Sequence, residues 1–168
     1  TDGGDPERTI HDINKHMDDP SYVVEMDGQK WTPAEISAMI LSKLKKECAK
    51  LAGEIEDVVI TVPANFNELA RKMTVTAGRL AGLNVTRLVN EPTAAALYYA
   101  HSQDISGRVL VYDLGGGTLD ITVMEIDGYS IDIILSEGAR HLGGSDFDEV
   151  LLELLSEEYK KQNRADLF

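Results

Sequence analysis

The stretch Asp113-Leu114-Gly115-Gly116-Gly117-Thr118-Leu119-Asp120 decides how this chain is read. Val109-Leu110-Val111-Tyr112 leads into it as a strand, and Asp120 to Ile126 leaves it as a second β-rich run. The glycines therefore turn a strand into a strand. A P-loop needs Gly-Lys-Ser/Thr opening a helix, and neither the lysine nor the helix is here. A dinucleotide loop also opens a helix. Consecutive glycines remove every Cβ, so backbone N–H groups can close on an anion, and Thr118 adds a hydroxyl donor. Asp113 and Asp120 bracket the loop, one on each strand. Two carboxylates repel an oligophosphate unless a cation intervenes, and Mg²⁺ joins carboxylate to phosphate through oxygen ligands and water. Loop and acids together predict a Mg-nucleotide phosphate site. The glycines alone are equally a flexible hairpin with exposed acids.

Downstream, Asp127-Gly128 is a hairpin signal and Ser130 to Leu135 returns, which completes a three-stranded antiparallel meander. After Gly143-Gly144, Ser145 reads as an N-cap with Asp148 three residues on. Phe147, Val150, Leu151, Leu154, Leu155 and Tyr159 then mark an amphipathic helix.

Upstream, Val58 to Val62 is a buried strand ended by Pro63, and Asn67 caps a helix whose stripe is Leu69, Met73, Ala77 and Leu80. Val85 to Val89 is the next strand. Strand, helix, strand at these lengths is a βαβ unit with parallel pairing. Asn90-Glu91-Pro92-Thr93 opens a further helix through Ala94 to Leu97. Glu91 stands at a strand-to-helix junction, where open α/β sheets place ligands; taken alone, such a start serves capping.

Earlier still, Thr32-Pro33-Ala34-Glu35 is a capping box with proline at the first helical position. Ile36, Met39, Ile40, Leu44, Cys48 and Leu51 recur at helical spacing as the expected buried face. Lys43, Lys45, Lys46 and Lys50 crowd the C-terminal half, where the dipole suits cations, and Gly53 closes the helix. Tyr22 to Met26 is a short strand ending at the turn Asp27-Gly28. Thr1 to Asp19 reads as a weakly structured lead-in. His11 and His16 within it lack the companions of a metal site and are expected in solvent.

The 168 residues hold 16 Lys+Arg against 29 Asp+Glu, a net charge of −13, with 43% hydrophobic residues. That excludes wholesale disorder and nucleic-acid binding by bulk electrostatics. No apolar run spans a bilayer. The one cysteine, Cys48, is expected as a buried reduced thiol, which fits a cytoplasmic location.

Asn90 to Leu97, Asp113 to Asp120, and His141-Leu142-Gly143-Gly144-Ser145-Asp146-Phe147-Asp148 resemble, in order, three motifs of the seventy-kilodalton heat-shock (DnaK-like) chaperones. Val62-Pro63-Ala64 with Phe66-Asn67 and Arg71 is a fourth. The resemblance runs from about Tyr22 to Phe168 and implies an α/β, actin-like ATPase fold with ribonuclease-H-like sheets, incomplete here. It implies ATP/ADP and Mg²⁺ as cofactors. Gly115, Gly116, Gly117 and Thr118 would hold the phosphates, with Gly143-Gly144 as the turn beneath the nucleotide. Asp113 and Asp120 would organise Mg²⁺, largely through water, and Glu91, Asp113, Thr118 and Asp120 would serve hydrolysis. Pro63 and Arg71 match a relay to a peptide-binding domain. Arg87, Asn90 and Thr93 match the face for the interdomain linker and a J-domain co-chaperone, which the acids Glu125, Asp127 and Asp132 would also suit. A nucleotide-exchange factor and unfolded polypeptide clients are the other implied partners; nucleic acid and membrane are not.

The chain departs from the family pattern at Leu119, where phenylalanine is usual, at Asn65, where an aromatic is common, and at Ala100, where glycine is common. The family's first phosphate loop, its γ-phosphate lysine, its adenosine segments and its peptide-binding domain have no counterpart here. The expected organisation is an internal fragment: residues 1–35 as the tail of a small first-lobe subdomain, 36–108 as the second part of the first-lobe core, 109–144 as the opening meander of the second lobe, and 145–168 as the first helix of its small subdomain. Such a piece is expected to self-associate or pack loosely, to bind ATP weakly and not to turn it over. An actin-like ATPase with a filament or scaffold role is the alternative parent, and a non-hydrolysing chaperone-like module is a third.

Overall fold

A computed structural model describes residues 9–103, 105–128, 130–139 and 142–163. The first eight residues of the expected lead-in, His141 of the third motif and the last five residues lie outside them.

Near the start, Ile13–His16 forms a 3-10 helix, and Ile13 with Met17 is buried. His16 stacks on Tyr22 with ring centroids 3.7 Å apart. The lead-in is thus structured from Ile13 onward, and His16 is half-buried against an aromatic ring rather than solvated. Strands β1 (Val24–Met26) and β2 (Gln29–Trp31) pair antiparallel across Asp27-Gly28. Both turn residues have positive φ, 54° and 72°, the two-residue hairpin geometry that Asp-Gly favours.

Helix α1 (Pro33–Ala52) begins as its sequence dictates. Thr32 Oγ1 accepts from Glu35 N at 3.3 Å, and Glu35 Oε2 accepts from Thr32 N at 2.8 Å. The face it buries is not the expected one. Ala34, Ala38 and Leu41 pack against Met73 and Ala77 of α2 (Glu68–Leu80) and against Ala81, its C-cap. Ile36 is buried, but Met39, Ile40, Leu44, Cys48 and Leu51 are exposed. On α2, Asn67 caps as expected, by Oδ1 accepting from Ala70 N at 2.9 Å. Its buried residues are Ala70, Thr74, Ala77 and Gly78, while Leu69 and Leu80 face solvent. On the side of α2 turned to the strands there is room for no side chain at one position: a Cβ on Gly78 would collide with Val85 Cγ2.

Strands β3 (Asp57–Val62) and β4 (Asn84–Asn90) pair in parallel around α2, the predicted βαβ unit. Their register shifts between Val58 and Val59, where Thr86 Oγ1 donates to Val58 O at 3.0 Å. Helix α3 (Glu91–Gln103) follows β4 directly. Strands β5 (Gly107–Leu114), β6 (Leu119–Asp127) and β7 (Ser130–Ala139) form the predicted antiparallel meander, with β6 central. One face of this sheet is covered: Met124 and Ile126 are buried with Ala96 of α3, and Ala100, Val109, Val111 and Ile131 pack around them.

Helix α4 (Gly144–Asn163) closes the described chain and buries no residue. It starts one residue before the expected Ser145. The acid that reaches back is Asp146, whose Oδ2 accepts from Gly143 N at 2.8 Å, rather than Asp148. The molecule divides into two compact units between Ala94 and Ala95, inside α3. Among the described residues, no helix is long and apolar enough to cross a membrane.

Candidate functional site

In the second unit the site is built on the β5–β6 hairpin. Leu114 pairs with Leu119, and residues 115–118 make the turn, closed by Gly115 N donating to Thr118 O at 2.8 Å. The loop's carbonyls are turned away to other donors: Gly144 N gives to Gly115 O at 3.0 Å, and Ser145 N gives to Gly116 O at 2.8 Å. The N–H groups of Gly116, Gly117 and Thr118 make no backbone hydrogen bond among the described residues. Amides without a backbone acceptor suit an anion cradle; Gly116 is exposed, Thr118 is half-buried and Gly117 is buried. The first amides of α4 are the ones that engage the loop, so the positive end of a 20-residue helix dipole lies against it.

The two glycine segments, Gly115 to Gly117 and Gly143-Gly144, touch. A Cβ on Gly143 would meet Gly117 N and lie 2.6 Å from Gly116 O. Gly115, Gly116 and Gly117 have no positive φ. A Cβ on Gly115 would make only ordinary contacts, the nearest at 3.5 Å, and one on Gly116 would reach Ser145 Oγ at 4.0 Å. The hairpin's own geometry does not demand glycine at 115 or 116.

Asp113 and Asp120 are direct cross-strand partners at the root of the hairpin. Cross-strand partners project from the same face, and like charges placed so repel. Asp120 is 3% exposed, which sharpens that repulsion. An oxygen-only pair of this kind fits a hard cation such as Mg²⁺ that keeps most of its ligands as water and phosphate. It does not fit the nitrogen and sulfur preference of zinc. No cluster of three or more metal-binding side chains occurs among the described residues. One row further from the loop, Thr122 Oγ1 and Ser136 Oγ share a hydrogen bond of 2.9 Å.

In the first unit, Glu91 is the first residue of α3 and lines an apolar cavity of ≈ 220 Å³ with Ile13, Met17, Ile40, Val62 and Phe66. Beside it lies an arrangement the residue pattern does not reveal. Arg71 is a clamp: Nε donates to Phe66 O at 3.0 Å, and Nη2 donates to Ala64 O at 3.2 Å and to Asn90 Oδ1 at 2.8 Å. It ties the loop after Pro63 to the residue preceding Glu91. Nothing in the spacing of an isolated arginine announces this. Pro63 is buried, Asn90 is half-buried and Arg87 is exposed on β4. Thr93 Oγ1 is shut off from solvent with no partner among the described residues. Of the meander acids, Glu125 meets Arg108 at 3.4 Å, and Asp127 and Asp132 are exposed. Leu119 is half-buried at the hairpin exit, and Ala100 packs under the sheet.

Residues 6–168 match the family described as Hsp70 protein, and the chain belongs to that family. The mixed α/β architecture with its small sheets is accordingly a portion of an actin-like ATPase fold. Among particular proteins, the chain is similar to the chaperone protein DnaK of Thermotoga neapolitana, 51% identical over 166 residues that cover 96% of this chain and 27% of that one. The DnaK proteins of Thermotoga petrophila and Thermotoga maritima stand at the same identity and coverage. The chain thus spans 27% of the length of these relatives.

Proposed function

We propose that this chain supplies part of the Mg-ATP site of an Hsp70 chaperone, from two incomplete lobes of ribonuclease-H-like build. Residues 36–108 belong to the first-lobe core and residues 109–144 to the second, with the tail of a small subdomain before them and the first helix of another after them. The observation that carries the reading is the hairpin at 115–118, with the carbonyls of Gly115 and Gly116 capped by Gly144 and Ser145, the amides of 116–118 without a backbone acceptor among the described residues, and the root formed by Asp113 opposite Asp120.

The amides of Gly116 and Gly117 and the Thr118 hydroxyl donate to phosphate oxygens in this reading. Asp113 and Asp120 hold Mg²⁺ through its water shell, and the cation neutralises phosphate charge when bound. Glu91 orients water from the first lobe. Gly143-Gly144 keeps the hairpin in place by leaving room for its backbone. The remaining family roles extend the proposal: Pro63 and Arg71 relay to a peptide-binding domain, and Arg87, Asn90 and Thr93 with the acids Glu125, Asp127 and Asp132 meet a basic J-domain co-chaperone. Unfolded polypeptides are the clients, a nucleotide-exchange factor is the further partner, and the cytoplasm is the location. Residues 1–168 by themselves bind ATP weakly and do not hydrolyse it.

Amide NMR titration of the chain tests this. With Mg²⁺ present, pyrophosphate or ATP shifts the amides of Gly116, Gly117 and Thr118 first. The shifts disappear without Mg²⁺ and in Asp113→Asn, which is half-buried and keeps the fold. Shifts centred elsewhere, or none at millimolar ligand, overturn the reading.

A further inference from the structure

Ser145 has the sequence of a helix cap and no capping duty. Helix α4 begins at Gly144, so Ser145 lies inside its first turn. The side chain that reaches back to the backbone is Asp146, whose Oδ2 accepts from Gly143 N. A hydroxyl within a helix commonly turns back on a carbonyl of the preceding turn. Thr74 and Thr76 do so here, to Ala70 O and Lys72 O, each at 2.9 Å. Ser145 has no helical turn behind it. It is exposed, and its hydroxyl makes no hydrogen bond among the described residues.

The backbone nevertheless holds Ser145 against the glycine hairpin, because Ser145 N donates to Gly116 O at 2.8 Å. Gly116 is exposed and lacks a Cβ. At the place where one would stand, the nearest atom of another segment is Ser145 Oγ, at 4.0 Å. The first amides of α4 do not compete for a ligand there. Gly144 N and Ser145 N are given to Gly115 O and Gly116 O, and Asp146 N and Phe147 N to Gly143 O. What the start of α4 has left to offer is the Ser145 hydroxyl. The carboxylates around the hairpin, Asp113, Asp120 and Asp146, accept hydrogen bonds and repel an anion unless a cation stands between. A neutral donor that rotates to suit its partner is the complementary group.

We propose that Ser145 is a ligand-contacting residue of the hairpin site, its hydroxyl donating to a phosphate oxygen that enters the space Gly116 leaves bare. This rests on the Mg-phosphate reading of the hairpin and adds to it a donor from a second segment. The anion is then gripped by α4 as well as by the β5–β6 turn.

Titration of the full chain with Mg²⁺ and pyrophosphate, followed at the amides of Gly116, Gly117 and Thr118, is the test, with the urea midpoint of each variant measured alongside. Ser145→Ala weakens binding about three- to tenfold, the loss expected of one exposed hydrogen bond to a charged group. It leaves the urea midpoint nearly unchanged, because the hydroxyl holds nothing in the free chain. Ser145→Thr keeps the hydroxyl and keeps the affinity. Ser145→Asp separates ligand duty from helix stability: a carboxylate in the first turn suits the dipole, so the midpoint holds or rises, while binding weakens more than in Ser145→Ala. If Asp113→Asn abolishes the response but Ser145→Ala and Ser145→Asp bind as the parent does, the serine has no ligand duty, and this proposal falls while the hairpin reading stands. Equal losses in Ser145→Ala and Ser145→Thr, with lowered urea midpoints, mark a packing role and overturn it too. A parent chain with no response at those amides overturns both.

Discussion

Gly143 and Gly116 are neighbours in space with different reasons for being glycine. A side chain on Gly143 would drive into the backbone of residues 116 and 117, whereas one on Gly116 would meet only Ser145 Oγ, at 4.0 Å. Gly143→Ala therefore destabilises the second unit by about 1–3 kcal/mol, the usual consequence of overpacking. It also displaces the hairpin and abolishes the pyrophosphate response. Gly116→Ala leaves the midpoint of urea unfolding nearly unchanged, because the loop tolerates a methyl group. Its pyrophosphate response still weakens, since the methyl stands where the anion approaches. A Gly116→Ala chain that binds as well as the parent would show that the bare backbone has no ligand duty. The residue types at this site were legible because the chemistry is local: three glycines, a threonine and two acids within eight positions. The Arg71 clamp was not, since its acceptors are two carbonyls and an amide oxygen 19 positions away.

At the scale of elements, starts and stops were legible and faces were not. The α1 boundary is written in Thr32, Pro33, Glu35 and Gly53, and each does locally what its chemistry allows. Which side of α1 turns inward depends on what lies opposite. Alanines meeting α2 displaced the row of larger apolar residues from the core, and Cys48 went with that row to the exposed side. The same substitution of small for large occurs on α2, where Gly78 and Ala77 pack instead of Leu69 and Leu80. The capping box makes a definite pH prediction. The backbone N–H and then the hydroxyl of Thr32 donate to Glu35 and hold its carboxyl below the ordinary glutamate value. A carboxylate favoured in the folded state contributes stability above its unfolded pKa, and the contribution fades as pH falls through the lower folded value. Acid titration below about pH 4 should thus loosen the α1 start first. Amide exchange at Ile36 and Ser37 reads this, and Glu35→Gln should flatten the response. Thr32→Ala should lower stability by about 1 kcal/mol at neutral pH, the ordinary loss for a cap.

At the scale of the whole molecule, the described residues hold two small cores. One joins α1 to α2; the other joins α3 to the meander. A chain so divided need not unfold in one step, because cooperativity follows contiguous packing. Its residues supply the means of separating the two. Trp31, the one tryptophan, belongs to the first unit, and Met124, which is 0% exposed, belongs to the second. Met124→Ala removes a side chain from the centre of the β6 face and leaves a cavity, a loss of about 2–5 kcal/mol. Amide exchange along β6 should accelerate accordingly. The Trp31 fluorescence midpoint in urea should stay within the error of the parent, because no Met124 contact lies in the core that Trp31 reports. If both probes shift together, α3 transmits stability between the units and the chain folds as one. If only the exchange changes, each half is held by its own few buried residues, and the carboxylate pair rests on a sheet whose stability is set within the second unit alone.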